Sequence, residues 1–249
     1  MLRSLHAQLP HAPLLYVADS AHAPYGERSD DYVLDRSRRI MDHLRAEGAV
    51  GLVIACNTAT AIAIAHLREA NQGFPIVGVE PGLKPAVAAT RNGRIGVMAT
   101  PATIASAKFH ALVQAQGANV SIIAQPCPGL ARLIEEGDLQ SKRLREAVDH
   151  HTGALRVAGV DTVVLGCTHY PFVRHLIEAA MGPNVQIIDT ADAVARRAVQ
   201  LLGDAVTSSG TPGAVRLQTT GDAPRLRSIA SAWLPIASEV EGMSATAPS

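Results

Sequence analysis

The chain alternates short apolar runs with longer amphipathic stretches. Runs rich in Val, Ile and Leu predict strands at residues 14–19, 51–56, 75–80, 94–100, 120–125, 161–167, 185–190 and 215–221. Between them, apolar positions at helical spacing predict helices at residues 30–48, 58–71, 83–91, 102–116, 139–158, 172–181, 191–202 and 223–234. Continuous apolar strands that alternate with helices are typical of parallel sheets covered on both faces. The pattern therefore predicts an α/β fold.

Two of the predicted strands end in nearly the same sequence. VIACNTATA at residues 53–61 and VVLGCTHYP at residues 163–171 both pass from an apolar run through a small residue to a cysteine and then to polar residues. A chain of 249 residues can form two cores, so this repeat predicts two pseudo-symmetric α/β lobes. Ligands of open parallel sheets bind at the carboxyl ends of strands. We therefore expect one cysteine at the binding edge of each lobe. If the two lobes face each other, the two thiols face each other across a cleft.

Composition and charge indicate which kinds of partner the protein binds. Lys and Arg together number 22 and Asp and Glu together 22, so the chain has no net charge with which to attract nucleic acid or an anionic membrane. No apolar run approaches the ~20 residues of a membrane span, and the N-terminus lacks the apolar block of a secretory signal. These features predict a cytoplasmic protein whose partners are small molecules or other proteins, and not nucleic acid or a membrane.

Two opposed thiols favour acid/base chemistry. A cysteine at a helix N-terminus lies at the positive end of the helix dipole, which lowers its pKa from about 8.5 towards neutrality. One thiolate could then remove a proton from one face of a carbon acid while the other thiol protonates the opposite face, which inverts a stereocentre. The residues beside the two cysteines add donors suited to a carboxylate: Asn57, Thr58, Thr168 and His169. This chemistry needs no metal, flavin or pyridoxal phosphate.

Other interpretations of the cysteines stay open at this point. A cysteine that ends an apolar strand is most often packed in a core, and we assign Cys127 to that class. A zinc site is disfavoured because no closely spaced Cys or His pairs occur, and a nucleophilic cysteine hydrolase would need only one of the two copies. The repeat could also reflect only repeated α/β packing.

Other polar residues have both a structural and a functional interpretation. Tyr25 and Gly26 lie in a predicted turn that could also present donors to a ligand. Thr100 is a predicted helix cap and, with Thr103, could hold a carboxylate. Glu135 would by default be a solvated charge at a helix end.

Six stretches in order resemble the glutamate racemases of the aspartate/glutamate racemase superfamily. They are YVADSAHAPYG, VIACNTATA, PIVGVEPGLKPA, GVMATPATI, PCPGLARLIEEG and VVLGCTHYPF, and the match extends from about residue 13 to about residue 202. The resemblance implies cofactor-independent interconversion of L- and D-glutamate, which supplies D-glutamate for bacterial peptidoglycan. It also implies that the first lobe comprises residues 1–80 and 190–249 and the second lobe residues 81–189, with the active site in the cleft between them.

The resemblance also implies roles for individual residues. Cys56 and Cys167 match the acid/base pair, and Glu135 matches a glutamate linked to proton handling at the second thiol. His169 belongs both to that catalytic group and to the substrate contacts. The other implied substrate contacts are Tyr25, Gly26, Asn57, Thr58, Thr100, Thr103 and Thr168. The expected partners are glutamate as a small-molecule substrate, a second copy in a homodimer and, as in some members of the family, DNA gyrase.

One family feature is not found in this sequence. The family opens with a strand and a D-S-G-x-G-G turn, whose Asp and Ser bind substrate and assist the first cysteine. This sequence begins at MLRSLHAQLP, which resembles the helix just downstream of that turn. A misplaced start codon is the favoured explanation and a genuine truncation the other. An in-frame D-S-G-x-G-G upstream of Met1 would support the first.

Two further hypotheses remain at the level of sequence. One is another racemase of the superfamily, such as an aspartate racemase, although the CTHYPF form argues against it. The other is a non-catalytic module that binds glutamate or inhibits gyrase, which the missing Asp and Ser favour for the chain as given. Without the first strand of the family, we expect the first sheet to lose ladder hydrogen bonds and to leave apolar surface uncovered.

Overall fold

The computed structural model of the chain describes residues 1–116, 119–206, 213–234 and 239–243. Its contacts divide the chain into two units. The first unit consists of Met1–Ile54, Ala63–Gly78 and Ala191–Ser249, and the second of Ala55–Ile62 and Val79–Thr190. This division differs from the sequence-based one chiefly at residues 55–62. That segment joins the second unit because its side chains and carbonyl groups bond to residues 79, 100, 103 and 168.

Helices and strands alternate along most of the chain. The helices are α1 (Leu2–Gln8), α2 (Asp30–Ala46), α3 (Asn57–Ala70), α4 (Leu83–Ala89), α5 (Pro101–Ala105), α6 (Ala107–Gln116), α7 (Leu130–Glu135), α8 (Lys142–Val157), α9 (Arg174–Met181), α10 (Ala191–Val206) and α11 (Ala223–Trp233). The strands are β1 (Leu14–Ala18), β2 (Leu52–Ile54), β3 (Ile76–Gly78), β4 (Arg94–Ala99), β5 (Ser121–Pro126), β6 (Thr162–Gly166), β7 (Gln186–Ile188), β8 (Val215–Thr219) and β9 (Glu239–Gly242). Short 3-10 helices cover Tyr25–Glu27 and Tyr170–Val173. All the strand pairings found are parallel, so the predicted α/β class with parallel sheets is confirmed.

The second unit is built on one parallel sheet with the strand order β5-β4-β6-β7. Successive residues of β4 and β6 face opposite sides of the sheet, and both sides are buried against helices. Met98 and Leu165 contribute to one apolar cluster, while Val97 and Val164 contribute to the other. A Cβ added at Gly166 would lie 2.9 Å from the Cβ of Ala99. The last position of β6 therefore needs glycine, and Cys167 follows it at the carboxyl end of a rigid strand.

The described part of the first unit has five parallel strands in two separate sheets, β1-β8-β9 and β2-β3. Among the described residues, β1 bonds only to β8 and β2 only to β3. Leu14–Val17 and Leu52–Ile54 are apolar but stay partly exposed, whereas β6 is buried throughout. Parallel strands are normally buried on both faces and bonded on both edges. Both β1 and β2 therefore leave one row of main-chain groups without a strand partner.

The structure departs from the predicted elements at four places, one of which is the unpredicted helix α7. The predicted helix at residues 102–116 is broken at Ser106, whose backbone is extended (ψ 143°) and whose hydroxyl accepts the N–H of Phe109. The predicted helix at residues 172–181 begins as a 3-10 turn. Beyond the last predicted helix, Glu239–Gly242 form β9 and pair with β8. Residues 244–249 lie outside the described part of the chain.

Within the described residues, none of the helices has the length and apolar character needed to cross a lipid bilayer.

Candidate functional site

Both repeated cysteines lie where a strand gives way to a helix. Cys56 comes two residues after β2 ends, and Cys167 directly follows β6. Contacts place both of them in the second unit. The hydroxyl of Thr168 donates a hydrogen bond to the carbonyl oxygen of Ala55 at 3.0 Å. The residue after one cysteine is therefore bonded to the residue before the other.

Cys56 is the N-cap residue of α3. Its carbonyl oxygen accepts the N–H of Thr60 at 2.9 Å, and its Sγ accepts the N–H of Ala59 at 3.5 Å. The expectation that the helix N-terminus lowers the pKa of Cys56 is wrong, because burial raises this pKa to about 11, although bonds from Ala59 and Thr58 act in the opposite direction. Cys56 is therefore a protonated thiol near neutral pH, and its partial exposure leaves it accessible.

Cys167 lies beside a histidine that is itself bonded to a carboxylate. Sγ of Cys167 is 3.6 Å from Nδ1 of His169, and Nε2 of His169 is 2.6 Å from Oε1 of Glu135. Burial acts to lower the pKa of His169, but its bonds to Cys167 and Glu135 outweigh that effect and raise the pKa to about 10. His169 is then an imidazolium, and Sγ of Cys167 lies beside its positive charge. Glu135 reaches this position from the last residue of α7.

Three buried hydroxyl groups form a triangle beside Cys56. Oγ1 of Thr58 lies 2.9 Å from Oγ1 of Thr100 and 3.2 Å from Oγ1 of Thr103, and the latter two are 2.9 Å apart. Thr100 also caps α5 by accepting the N–H of Thr103. The two interpretations of Thr100 from sequence are thus compatible, because the cap brings its hydroxyl to Thr58. A cluster of hydroxyl groups that can rotate and exchange partners suits the oxygen atoms of a bound carboxylate.

The amide of Asn57 is held by the main chain. Its Nδ2 lies 3.5 Å from the carbonyl oxygen of Val79, and the residue is buried. The structure thus gathers most of the candidate residues in the second unit: Cys56, Asn57, Thr58, Thr100, Thr103, Glu135, Cys167, Thr168 and His169.

Tyr25 and Gly26 belong to the first unit. They open the 3-10 helix that follows β1, and the hydroxyl of Tyr25 donates to the carboxylate of Asp19. Asp19 also accepts two bonds from Arg36, at 3.0 and 2.8 Å, and one from Thr220 at 2.9 Å. Tyr25 therefore uses its hydroxyl to hold the loop in place.

Cys127 is part of an apolar cluster. Its side chain is buried, its thiol donates to the carbonyl oxygen of Gln125 at 3.4 Å, and it lies beside the hydroxyl of Tyr170. Burial raises its pKa to about 12. These contacts agree with the assignment of Cys127 to packing. Among the described residues, no group of three or more His, Cys, Asp or Glu side chains is arranged to hold a metal ion.

Sequence reasoning missed three residues that hold the candidate groups in place. Thr60 bonds to the main chain of both Cys56 and Val79, and Asp19 with Arg36 anchors the loop of Tyr25. The sequence carried a signal for Asp19, which directly follows an apolar strand at the edge where ligands bind. Thr60 carried none, because a threonine in the first turn of a helix usually has no special role.

Comparison with known proteins gives a consistent set of similarities. A model of the family described as Asp/Glu/Hydantoin racemase matches residues 1–198. A glutamate racemase from Pseudomonas putida is 48% identical over 230 residues, which cover 92% of this chain and 87% of that protein. The crystal structure of a glutamate racemase isoform from Bacillus anthracis superposes with a TM-score of 0.87 at 30% identity, covering 99% of this chain and 92% of that one. The Escherichia coli glutamate racemase, solved with L-glutamate and the activator UDP-MurNAc-ala, gives a TM-score of 0.86 at 26% identity, covering 99% and 94%.

Proposed function

Since the chain belongs to the Asp/Glu/hydantoin racemase family, we propose that Cys56 and Cys167 are the acid/base pair with which it interconverts L- and D-glutamate. The glutamate racemases among its relatives make the chain an isomerase that acts on an amino acid. The observation that carries the proposed roles is the bond from Thr168 to Ala55, which links the chain beside one thiol to the chain beside the other.

The two cysteines take opposite roles in the proposed reaction. Cys56 is a thiol because burial raises its pKa, and the positive charge of His169 lies beside Cys167, which we therefore assign as the base. In one direction, the thiolate of Cys167 takes the α-proton of glutamate, and the thiol of Cys56 gives its proton to the opposite face of the carbanion. The enzyme then holds the opposite arrangement, thiol on Cys167 and thiolate on Cys56, and the reverse reaction starts from that state. No bond other than Cα–H and S–H breaks or forms, so no oxidant or co-reactant is needed.

His169 and Glu135 control the charge beside Cys167. When Cys167 is a thiolate, the imidazolium neutralises it, and the Glu135 carboxylate holds the ring in place by its bond to Nε2. When Cys167 has taken the proton, the imidazolium keeps its bond to the Glu135 carboxylate and stays in place for the next turnover. We therefore place Glu135 and His169 in the catalytic group.

We assign substrate binding to hydroxyl and amide groups. Thr58, Thr100 and Thr103 offer three adjacent hydroxyl groups to a carboxylate, and Asn57 lies at the same helix start. The hydroxyl of Thr168 donates its hydrogen to the carbonyl oxygen of Ala55. It can therefore only accept a further hydrogen bond, for example from the substrate ammonium group. Following the resemblance, Tyr25 and Gly26 contribute contacts from the loop that Asp19 anchors.

Several wider expectations stay predictions. They are catalysis without a cofactor, a cytoplasmic location, a homodimer, binding of DNA gyrase, the use of the D-glutamate in peptidoglycan synthesis, and the division into lobes at residues 80 and 190. The small-molecule substrate is the partner that the relatives support directly, since the Escherichia coli structure holds L-glutamate.

Exchange of solvent deuterium into Cα of L- and D-glutamate tests the proposal. We expect exchange by the wild-type protein, with racemisation reduced roughly 10²- to 10⁴-fold in Cys56→Ala and Cys167→Ala, the usual contribution of a general acid or base. Cys127→Ala is the matched control, because it removes a thiol of the same unit that packs in the apolar cluster. Racemisation that persists undiminished in the first two variants would overturn the roles given to the cysteines. Exchange with aspartate and not with glutamate would identify aspartate as the substrate. Binding of glutamate without exchange would favour a non-catalytic module.

A further inference from the structure

Thr60 joins three parts of the second unit through main-chain groups. Its N–H donates to the carbonyl oxygen of Cys56 at 2.9 Å, and its hydroxyl accepts the N–H of Val79 at 3.1 Å. Both Thr60 and Val79 are 1% exposed. The hydroxyl therefore satisfies a main-chain donor that water does not reach.

The bonds to residues 55 and 56 come from two directions. The carbonyl oxygen of Ala55 accepts from Thr168, and the carbonyl oxygen of Cys56 accepts from Thr60. Asn57 adds a longer contact, at 3.5 Å, to the carbonyl oxygen of the same Val79 whose N–H Thr60 accepts. Cys56 is thus the N-cap of a helix whose first turn is tied to the main chain of Val79, and the residue before it, Ala55, is bonded to Thr168.

We propose that Thr60 is a positioning residue for Cys56. By holding the first turn of α3 against Val79, it fixes the N-cap at which the Cys56 thiol exchanges its proton. This inference rests on the proposed function of Cys56 as an acid/base group. Thr60 is not itself a catalytic residue, because its N–H and its hydroxyl oxygen bond to main-chain groups of Cys56 and Val79.

Thr60→Val separates a positioning role from simple packing. Valine has nearly the shape of threonine but cannot accept the N–H of Val79, whereas Thr60→Ser keeps the hydroxyl. We expect Thr60→Val to lower kcat for glutamate racemisation roughly 10- to 100-fold, since a misplacement of the order of 1 Å is enough for such a loss. KM should change by less than about threefold, because the groups proposed to bind substrate are retained. Thr60→Ser should restore kcat to near the wild-type value.

Thr152→Val provides a matched control in the same unit. Thr152 is fully buried, and its hydroxyl donates to the carbonyl oxygen of Val148 in α8, so the variant loses an equally buried hydroxyl that has no bond to the cysteines. The second readout is the rate at which iodoacetamide alkylates Cys56 relative to Cys167, measured by mass spectrometry on folded protein. A positioning role changes this ratio in Thr60→Val and leaves it unchanged in Thr152→Val.

The outcomes are distinguishable from one another. If the wild-type protein catalyses no deuterium exchange, the proposed function is refuted. The alkylation ratio alone then tests whether Thr60 positions Cys56. An active wild type with an unchanged kcat and alkylation ratio in Thr60→Val overturns the positioning role, as does an equal loss in Thr152→Val. If Thr60→Val does not fold, Thr60→Ala, which leaves room for a water molecule at the N–H of Val79, takes its place. Failure of both to fold would also overturn the inference, since the hydroxyl would then be needed for the fold itself.

Discussion

The hydroxyl of Thr168 donates a hydrogen bond to the carbonyl oxygen of Ala55 over 3.0 Å, and each of these residues is next to a cysteine. The bond links the two strand ends whose sequences repeat. A two-base racemase needs both thiols within reach of one carbon atom, with little freedom in their separation. A direct bond between the neighbours of the two cysteines limits that freedom.

The first prediction concerns this bond. Thr168→Val keeps the shape of the side chain but removes the donor, so the chain at Ala55 can shift relative to Cys167. We expect kcat to fall about tenfold or more, while Thr168→Ser retains most of the activity. Steady-state kinetics with L-glutamate distinguish this from loss of a substrate contact, which would raise KM with little change in kcat.

The control for this variant lies at the other end of the same strand. Thr162 is buried at the start of β6, where its hydroxyl donates to Asp161 at 3.0 Å. Thr162→Val should therefore cost stability without a comparable fall in kcat. A wild-type kcat in Thr168→Val, or an equal fall in both variants, would contradict the role of the Thr168–Ala55 bond.

The second prediction concerns the charge on His169. Its pKa is raised to about 10 although burial opposes the charge, because Cys167 and the Glu135 carboxylate both bond to the ring. Glu135→Gln removes one negative partner, so the pKa of His169 should fall. The position of the Cε1–H resonance of His169 against pH measures it directly. An unshifted titration in Glu135→Gln would contradict the link.

The same pKa sets a pH dependence of stability. The folded state binds the His169 proton more tightly than the unfolded chain, whose histidine has a pKa of about 6.5. The stabilisation is therefore complete below about pH 6.5 and is lost as the pH rises through about 10. The Glu135→Gln variant should begin to lose this stabilisation at a lower pH than the wild-type protein. Glu136→Gln is the matched control, since the neighbouring Glu136 pairs only loosely with Arg143, at 3.7 Å, on the surface.

The sequence predicted the class of fold and most elements because their apolar periodicity is strong. It missed the break at Ser106, where a side-chain hydroxyl accepts a main-chain N–H in place of continuing a helix. Periodicity alone cannot show this competition, since serine is tolerated in both states. It also missed β9, whose sequence EVEG is too polar to resemble the other strands and which pairs at the edge of its sheet.

Residues of the candidate site were predictable where they lie next to a repeated motif. They were unpredictable where they contact residues that are distant in the sequence. Cys56, Cys167 and their polar neighbours stand out because the repeat marks them. The bond between Thr168 and Ala55 spans 113 positions and that between His169 and Glu135 spans 34. Without the resemblance, the sequence gives no reason to select Glu135 over Glu136.

The third prediction concerns the buried carboxylate of Asp19. Its side chain is 6% exposed and bonded to Arg36, Tyr25 and Thr220. Burial acts to raise the pKa of Asp19, but the bonds from Arg36, Tyr25 and Thr220 together lower it. The carboxylate therefore stabilises the fold above about pH 3.8, its usual pKa, and this contribution is lost as the pH falls through the lower value of the folded state.

Asp19→Asn should lose this contribution. The variant leaves the Arg36 guanidinium without its anionic partner, so we expect the free energy of unfolding at pH 7 to fall by about 3–5 kcal/mol. Urea denaturation measures this. Asp35→Asn is the control, because Asp35 pairs with Arg39 on the same helix at 2.9 Å but both side chains are at least half exposed. A loss of less than ~1 kcal/mol in Asp19→Asn, or equal losses in the two variants, would argue against the anchoring role of Asp19.

The fourth prediction concerns the two sheets of the first unit. The N–H of Leu14 donates to Ala214 and the carbonyl oxygen of Ala18 accepts from Thr220, so even-numbered residues of β1 face β8. The amides of Leu15 and Val17 point to the opposite edge. By the same alternation, Leu52 bonds to Pro75 and the amide of Val53 points away from β3.

Among the described residues, no strand bonds to either of those edges, whereas β4 is bonded to β5 on one side and to β6 on the other. We therefore expect the amides of Leu15, Val17 and Val53 to exchange with solvent deuterium at least about a hundredfold faster than those of Ile95 and Val97 in β4. That ratio corresponds to roughly 3 kcal/mol less free energy for local opening. Residue-resolved exchange by NMR measures both sets in one sample. The amides of Tyr16 and Ile54 in the same strands serve as internal controls, because they face the bonded edge and should be more protected. Equal protection at Leu15, Val17 and Val97 would mean that the open edges are covered in solution, and the division of the first unit into two sheets would then be wrong.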